Sequence, residues 1–269
     1  MPVLSPAVLE AARFPEFDLP DPPEEHAYKL RRAAGYVIGF LAGFSFATVH
    51  VRRVADEELD LRVEEVREFL AGQGFERAAW VVSEAAEPAG LVGLLRGRGL
   101  VSWPEGVGGY ESRYRHMALA SEPAQAEGVA ARPVETYEEF VAACNVSRDA
   151  FDMSEQDRRL VEERDPLFWQ LEQRYPDFRT YAAFLDGEIV GHASVVFGAN
   201  AAYMSGSAVR SDRRGRGIYR ALVRARWNAA VERHTPALTV GAGAMSAPIL
   251  DRIGFATVGW VDVLQDDFS

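Results

Sequence analysis

Three arginines and two glycines in one five-residue run, Arg213-Arg214-Gly215-Arg216-Gly217, are the residues of this chain best suited to chemistry on an anion. The segment before them, Ala202 to Val209, has the alternation of a strand, and the segment after them carries Leu222, Val223 and Trp227 at helical spacing. A strand that turns through glycines into a helix presents unpaired N–H groups and the positive end of the helix dipole at one place. Gly215 and Gly217 let the backbone approach a ligand, since neither has a Cβ. A guanidinium matches phosphate oxygens with two parallel hydrogen bonds. The run is therefore read as a cradle for a diphosphate. It is not a P-loop, which needs Lys-Ser/Thr where Ile218-Tyr219 stands, and it lacks the three spaced glycines of a dinucleotide loop. The plainer reading is a turn before a solvated basic helix. Against it, Arg210, Arg213, Arg214, Arg216, Arg220, Arg224 and Arg226 gather in a chain of net charge −11.

Arg214-Gly-Arg-Gly217 between strand and helix resembles the acyl-CoA signature of the GNAT acetyltransferase superfamily, Arg/Gln-x-x-Gly-x-Gly/Ala. Downstream, Leu238-Thr-Val240 reads as a strand and Ser246 to Ile253 as a helix closed by Gly254-Phe255, similar to that family's second block. The resemblance covers residues 129–269. It implies a mixed α/β fold with a mostly antiparallel sheet flanked by helices, and acetyl-CoA as acyl donor. The donor would be held by Ala208, Val209, Arg213, Arg214, Gly215, Arg216, Gly217, Ile218 and Tyr219. The implied reaction is direct acetyl transfer to a primary amine of a small molecule or peptide, within a ternary complex. The alternative is a non-catalytic acyl-CoA-binding regulatory protein. Four positions depart from the pattern: Tyr219 replaces a Gly or Ala, Leu250 replaces a tyrosine acid, Gly243 replaces an asparagine, and Ala201 stands where some members carry a glutamate base. Leu250 and Ala201 motivate the alternative.

Acyl transfer to an amine requires a deprotonated nitrogen, a polarised carbonyl and a stabilised thiolate. By the resemblance, a backbone N–H near Val209 polarises the carbonyl. Ser246 can hydrogen-bond the thiolate, or serve only as a helix N-cap. His192 can relay the amine proton, or be a packed histidine bonded to a carbonyl. Tyr203 can face the cleft, or pack across strands. His234 is assigned to the C-terminal dipole of its helix. The acceptor wall is placed at Asn145 to Pro176, where Asp149, Asp152, Glu155, Phe151, Trp169 and Tyr175 suit a cationic amine or simply belong to amphipathic helices.

The elements that position these residues are repeated. Gly35-Tyr-Val-Ile-Gly-Phe40 resembles Gly187-Glu-Ile-Val-Gly-His192, and Gly99-Leu100 resembles Gly254-Phe255, at offsets of 152 and 155 residues. Two tandem copies of one α/β unit are predicted, residues 1–125 and 129–269, joined by the polar segment 121–128. The first copy is degenerate: Val54-Ala-Asp-Glu-Glu-Leu-Asp60 replaces the arginine loop, and its carboxylates repel a diphosphate. Arg96-Gly-Arg-Gly99 sits at a helix end, where carbonyls point outward. Residues 14–28, rich in proline, are expected to be irregular. In the second copy Thr136 and Glu139 mark a helix start. Helices are expected over 153–163 and 166–174, and strands over 178–185 and 188–197 about an Asp186-Gly187 turn.

Bulk properties suit a cytoplasmic enzyme. With 269 residues, 48% hydrophobic, the chain is long enough for two cores, and a pI near 5.0 argues against nucleic acid as partner. The single cysteine, Cys144, excludes an internal disulfide and lies on a buried helix face. Gly35 to Val51 is apolar, but its glycines and β-branched residues predict a buried hairpin, so no membrane association is expected. No ligand spacing suggests a metal, and no Gly-x-Ser-x-Gly elbow is present. A homodimer is left open.

Overall fold

The computed structural model describes residues 3–41, 43–107, 111–151, 153 and 155–268. Asp152, named above for the acceptor wall, lies outside them. The first copy opens with α1 (Pro6–Arg13), whose Ser5 cap accepts a hydrogen bond from the Val8 N–H, and α2 (Pro15–Asp18). Strands β1 (Tyr28–Ala33), β2 (Tyr36–Leu41) and β3 (Ala47–Arg53) lead to α3 (Leu59–Gly72), β4 (Arg77–Glu87) and α4 (Leu91–Arg96). Strands β5 (Val101–Ser102) and β6 (Arg113–Leu119) close it. The second copy runs β7 (Ala130–Pro133), α5 (Tyr137–Ala150), α6 (Glu155–Glu162), α7 (Asp165–Arg174), β8 (Phe178–Leu185) and β9 (Glu188–Phe197). It ends with β10 (Ala202–Val209), α8 (Ile218–Glu232), β11 (Leu238–Ala242), α9 (Ala247–Ile253) and β12 (Ala256–Asp267).

Local chemistry sets these boundaries. Thr136 Oγ1 accepts from the Glu139 N–H at 3.2 Å to start α5, while the Glu139 carboxylate turns to Arg132 at 2.7 Å. Asp186 and Gly187 have φ of 53° and 82°, the left-handed pair that matches the twist of the β8–β9 hairpin. At α9, Gly254 takes φ 110° and the Phe255 N–H reaches back to the Leu250 carbonyl at 3.1 Å. The α4 end repeats this with Gly99 and a Leu100 to Leu95 bond of 3.3 Å, so the two copies share a stop signal. Residues 14–28 are more regular than the sequence predicts. They include α2, where Glu16 meets His50 at 3.1 Å and Asp18 holds the Asn200 amide at 3.1 Å.

Among the described residues twelve strands form one mixed, mostly antiparallel sheet, in the order β1-β2-β3-β4-β12-β6-β11-β10-β9-β8-β7, with β5 beside β12. The order shows an exchange. β6, from the first copy, pairs with β11 of the second, and β12, from the second, pairs with β4 of the first. β6 and β12 then pair with each other at the centre. Residues 121–128 link β6 to β7, and β6 and β12 each cross to pair with strands of the other half of the chain. One core lies between the second copy's strands and α8 and α9, around Leu222, Leu238, Val240 and Leu250. A second lies around Ile38, Leu59, Leu70 and Trp80 in the first. Each such side chain is worth about 1.5–3 kcal/mol when buried.

Residues 129–269 expressed alone would leave β11 without β6 and β12 without β4. We expect that fragment to show no cooperative thermal transition by circular dichroism. A sharp transition would show that the exchange is dispensable.

Candidate functional site

Parallel strands β10 and β11 pair only at Ala202↔Leu238 and Tyr203↔Thr239, then diverge. In the first copy, β3 and β4 stay paired from Ala47↔Ala78 to Val51↔Val82 and meet again at Arg53↔Glu87. The second copy thus has an open wedge where the first is zipped shut. Along the wedge, β10 carries a bulge between Ser205 and Ser207 on its β9 side, at Gly206 with φ 58°.

The arginine loop lies at the wide end of that wedge. After β10, residues Ser211–Arg213 make one tight turn, and Gly215 and Gly217 take φ of 80° and 79°. A Cβ at Gly217 would also press on the Ala126 Cβ at 3.3 Å. Gly217 is the N-cap of α8, and the helix starts without a side-chain cap, which leaves its first N–H groups facing outward. The arginines divide into two sets. Arg213 reaches Glu188 at 3.1 Å and Arg210 reaches Asp212 at 3.0 Å, so these two fasten the loop. Arg224 is bound to Glu122 and the Pro123 carbonyl. Arg214, Arg216 and Arg220 are exposed and make no ion pair among the described residues. These three are the cations open to a ligand.

Tyr219, the departure at the sixth signature position, does not obstruct the loop. Its phenol is turned inward to the Arg226 guanidinium, and burial pushes its pKa up. Arg226 is fully buried. It donates to the Leu222 carbonyl at 3.1 Å, the Ser194 carbonyl at 3.1 Å and Ser207 Oγ at 3.0 Å. Burial lowers its pKa to about 10, so it remains a cation at neutral pH.

The expected acid–base residues fare differently. Tyr203 stands where the strands part, its hydroxyl 3.6 Å from the place a Cβ on Gly241 would occupy. Ser246 is near the wedge, but its backbone is already helical and its Oγ donates to the Gly243 carbonyl at 3.4 Å. It makes no cap bond to the helix. His192 is buried on β9 beside α5, its Nε2 faces Ser194 Oγ at 3.4 Å, and its Nδ1 has no hydrogen-bond partner among the described residues. Leu250 is buried in the core, and Ala201 is covered by Ala11 of α1. Neither position can admit a catalytic group.

Burial lowers the pKa of His192 and of His116 on β6 to about 4. The fold therefore favours their neutral forms. This stability is complete above the unfolded value near 6.5 and is lost as pH falls toward 4, up to roughly 3 kcal/mol for each. We expect the thermal midpoint to drop between pH 7 and 5, with a shallower drop in His192→Gln. Equal slopes would show that His192 is not the group being titrated.

The acceptor wall is less open than the sequence suggests. Asp149 is paired with Arg158, Glu155 with Arg159 at 3.6 Å, and Trp169 packs on Phe140 with centroids 5.7 Å apart. Phe151 and Tyr175 are exposed. Burial pushes the Cys144 thiol up to about 12, which makes it inert. An open cavity of about 590 Å³ lies instead in the first copy, between Gly35, Arg53, Asp56, Glu58, Arg62 and Glu87. It occupies the place equivalent to the arginine loop, and its three carboxylates disfavour a diphosphate. Sequence reasoning missed Arg226 as a buried residue. It also missed Glu111, which reaches the end of β11 and accepts from the Ala244 N–H at 2.9 Å.

No helix of the described residues is long and apolar enough to cross a membrane, and no group of metal-ligating side chains occurs among them. Residues 140–246 match the model of the Acetyltransferase (GNAT) family. No curated protein matches the sequence. The fold is similar to a GCN5-related N-acetyltransferase from Kribbella flavida, with TM-score 0.70 and 17% identity over 98% of this chain and 96% of that one. A tandem GNAT protein from the clavulanic acid biosynthesis pathway gives TM-score 0.62 and 17% identity, over 97% and 94% of the two chains. A functionally unknown conserved protein from Staphylococcus epidermidis ATCC 12228 gives TM-score 0.62 and 12% identity, over 89% and 93%.

Proposed function

From the GNAT acetyltransferase domain at residues 140–246, we propose that this chain is an N-acetyltransferase with one donor site, in its second half. It would move an acetyl group from acetyl-CoA to a primary amine of a small molecule or peptide. The observation that carries this reading is the β10–β11 wedge opening beside a glycine loop with three unpaired arginines. The diphosphate would lie on Arg214, Arg216 and the first N–H groups of α8. The acyl arm would enter the wedge, where the backbone of β10 between Ser205 and Val209 has no β11 partner and can receive it as a strand receives its neighbour. Val209, on the far side of the bulge, offers its N–H to the thioester carbonyl, while the N–H of Ala208 beside it points to β9. Tyr203, at the closed end, is the donor proposed for the departing thiolate. Arg213 contributes by holding the loop through Glu188.

Titration calorimetry with acetyl-CoA and with CoA tests the assignment. One site per chain is the expected result. Two sites would overturn the degeneracy of the first copy, and none would overturn the function. A non-catalytic acyl-CoA binder is the second reading, favoured by the burial of Leu250 and Ala201. Thiol release with a panel of amines separates the two. The single cysteine supports the cytoplasm as the compartment.

A further inference from the structure

Where the resemblance places a glutamate base, Ala201 is sealed among alanines, and Gly243 has no side chain. The space beside Gly243 is nonetheless filled. Glu111, from the first copy, places Oε1 2.1 Å and its carboxyl carbon 2.6 Å from where a Cβ on Gly243 would stand. Any other residue at 243 would expel the carboxylate. Gly241 admits its neighbours in the same way, with the Tyr114 ring 3.0 Å and the Tyr203 hydroxyl 3.6 Å from its absent Cβ. The two glycines at the end of β11 thus let the first copy lay Glu111 and Tyr114 over the strand that forms one wall of the wedge. The exchange of β6 is what brings them there.

Glu111 is chemically free to act. Its two oxygens share one N–H, that of Ala244, and it makes no ion pair among the described residues. A carboxylate offers about four lone pairs, so most remain available. It is half-buried rather than sealed.

We propose that Glu111, supplied by the first copy, is the base that takes the proton from the acceptor's ammonium group in the second copy's site. The inference rests on the acetyltransferase reading above. The ammonium gives one proton to the Glu111 carboxylate, which later returns it to solvent. The neutral nitrogen forms a C–N bond to the thioester carbon, and the C–S bond breaks with its electron pair left on sulfur. The thiolate takes a proton from Tyr203, which is restored by the second proton lost from nitrogen. The net products are amide, thiol and one released proton. On this view the first copy lost its donor site and kept a catalytic segment.

The test uses the full chain with acetyl-CoA and a panel of a polyamine, an amino sugar and a peptide with a free α-amine, following thiol release. Glu111→Gln is expected to lower kcat at least 100-fold near neutral pH, the lower end of what a positioned base contributes, with acetyl-CoA affinity within threefold of wild type. Its rate should climb as pH rises toward the amine's own pKa, where solvent supplies the neutral nitrogen. A merely structural carboxylate would depress the rate evenly across pH. Glu111→Asp, checked for an unchanged thermal midpoint, should retain part of the activity. A Glu111→Gln variant with wild-type turnover and affinity overturns the base and leaves the acetyltransferase standing. A wild-type chain that binds acetyl-CoA but acetylates no panel member overturns both proposals, and one that binds no acetyl-CoA removes the reaction itself.

Discussion

Arg214→Glu combined with Gly217→Glu is expected to abolish CoA binding while the chain stays folded. Charge-assisted hydrogen bonds to a phosphate are worth about 1.5–3 kcal/mol each, and reversal of Arg214 replaces one with repulsion. The glutamate at 217 acts in three ways. Gly217 has φ 79°, which costs a residue with a Cβ about 1–2 kcal/mol. The new Cβ meets Ala126 at 3.3 Å, and the carboxylate stands at the α8 N-terminus, where the diphosphate would sit. Together these predict a loss of at least 1,000-fold in affinity by calorimetry. Both residues lie at the surface side of the loop, so the thermal midpoint should move by only a few degrees. Arg213→Gln is the control. Its guanidinium is held by Glu188 and Asp212, so only a few-fold effect is expected. A folded double variant with wild-type affinity would remove the cofactor assignment, and an Arg213 effect as large as the double variant's would misplace the phosphate.

The local parts of this fold could be read from sequence because their causes are local. Strand β10, the Asp186-Gly187 turn, the Thr136 cap and the glycine stops at 99 and 254 each follow from residues within a few positions. The two copies were legible for the same reason. The strand exchange was not: β6 and β12 would show the same alternation whichever fifth strand they joined, and register across 120 residues leaves no periodic trace. The site was half legible. Its glycines and arginines announce an anion, yet the sequence cannot say that Arg210 and Arg213 are neutralised by Glu188 and Asp212. Glu111 was invisible because it reaches its place through that exchange. Gly243, which looked only like a lost asparagine, is the gap that Glu111 fills.

Arg226 is where the sequence misleads most, and where substitution should be most informative. It belongs to a basic helical run and reads as solvated, but it is fully buried, and the partners it finds are neutral groups on three segments. A buried cation without a carboxylate is costly, and such groups persist where they hold a geometry. Here one guanidinium binds Ser207, just past the β10 bulge, and interacts electrostatically with Tyr219, which replaces the small residue of the signature. If the guanidinium keeps the phenol out of the loop, Arg226→Leu should weaken CoA binding tenfold or more by freeing the ring. Tyr219→Gly alone should change affinity by less than threefold, since it restores the family's small residue. The double variant should then recover most of the loss, because no ring remains to intrude. Arg226→Lys should fall between, since an ammonium cannot span the Ser194 carbonyl and Ser207 Oγ as a planar fork does. Hydrogen exchange at the bulge amides, measured without ligand, reads the second arm. It should accelerate in every Arg226 variant whether or not Tyr219 is present. Recovery of binding without recovery of protection would mean that the two arms are separable and that the loop depends on the ring alone. No recovery in a folded double variant would show that Arg226 serves the bulge and not the loop.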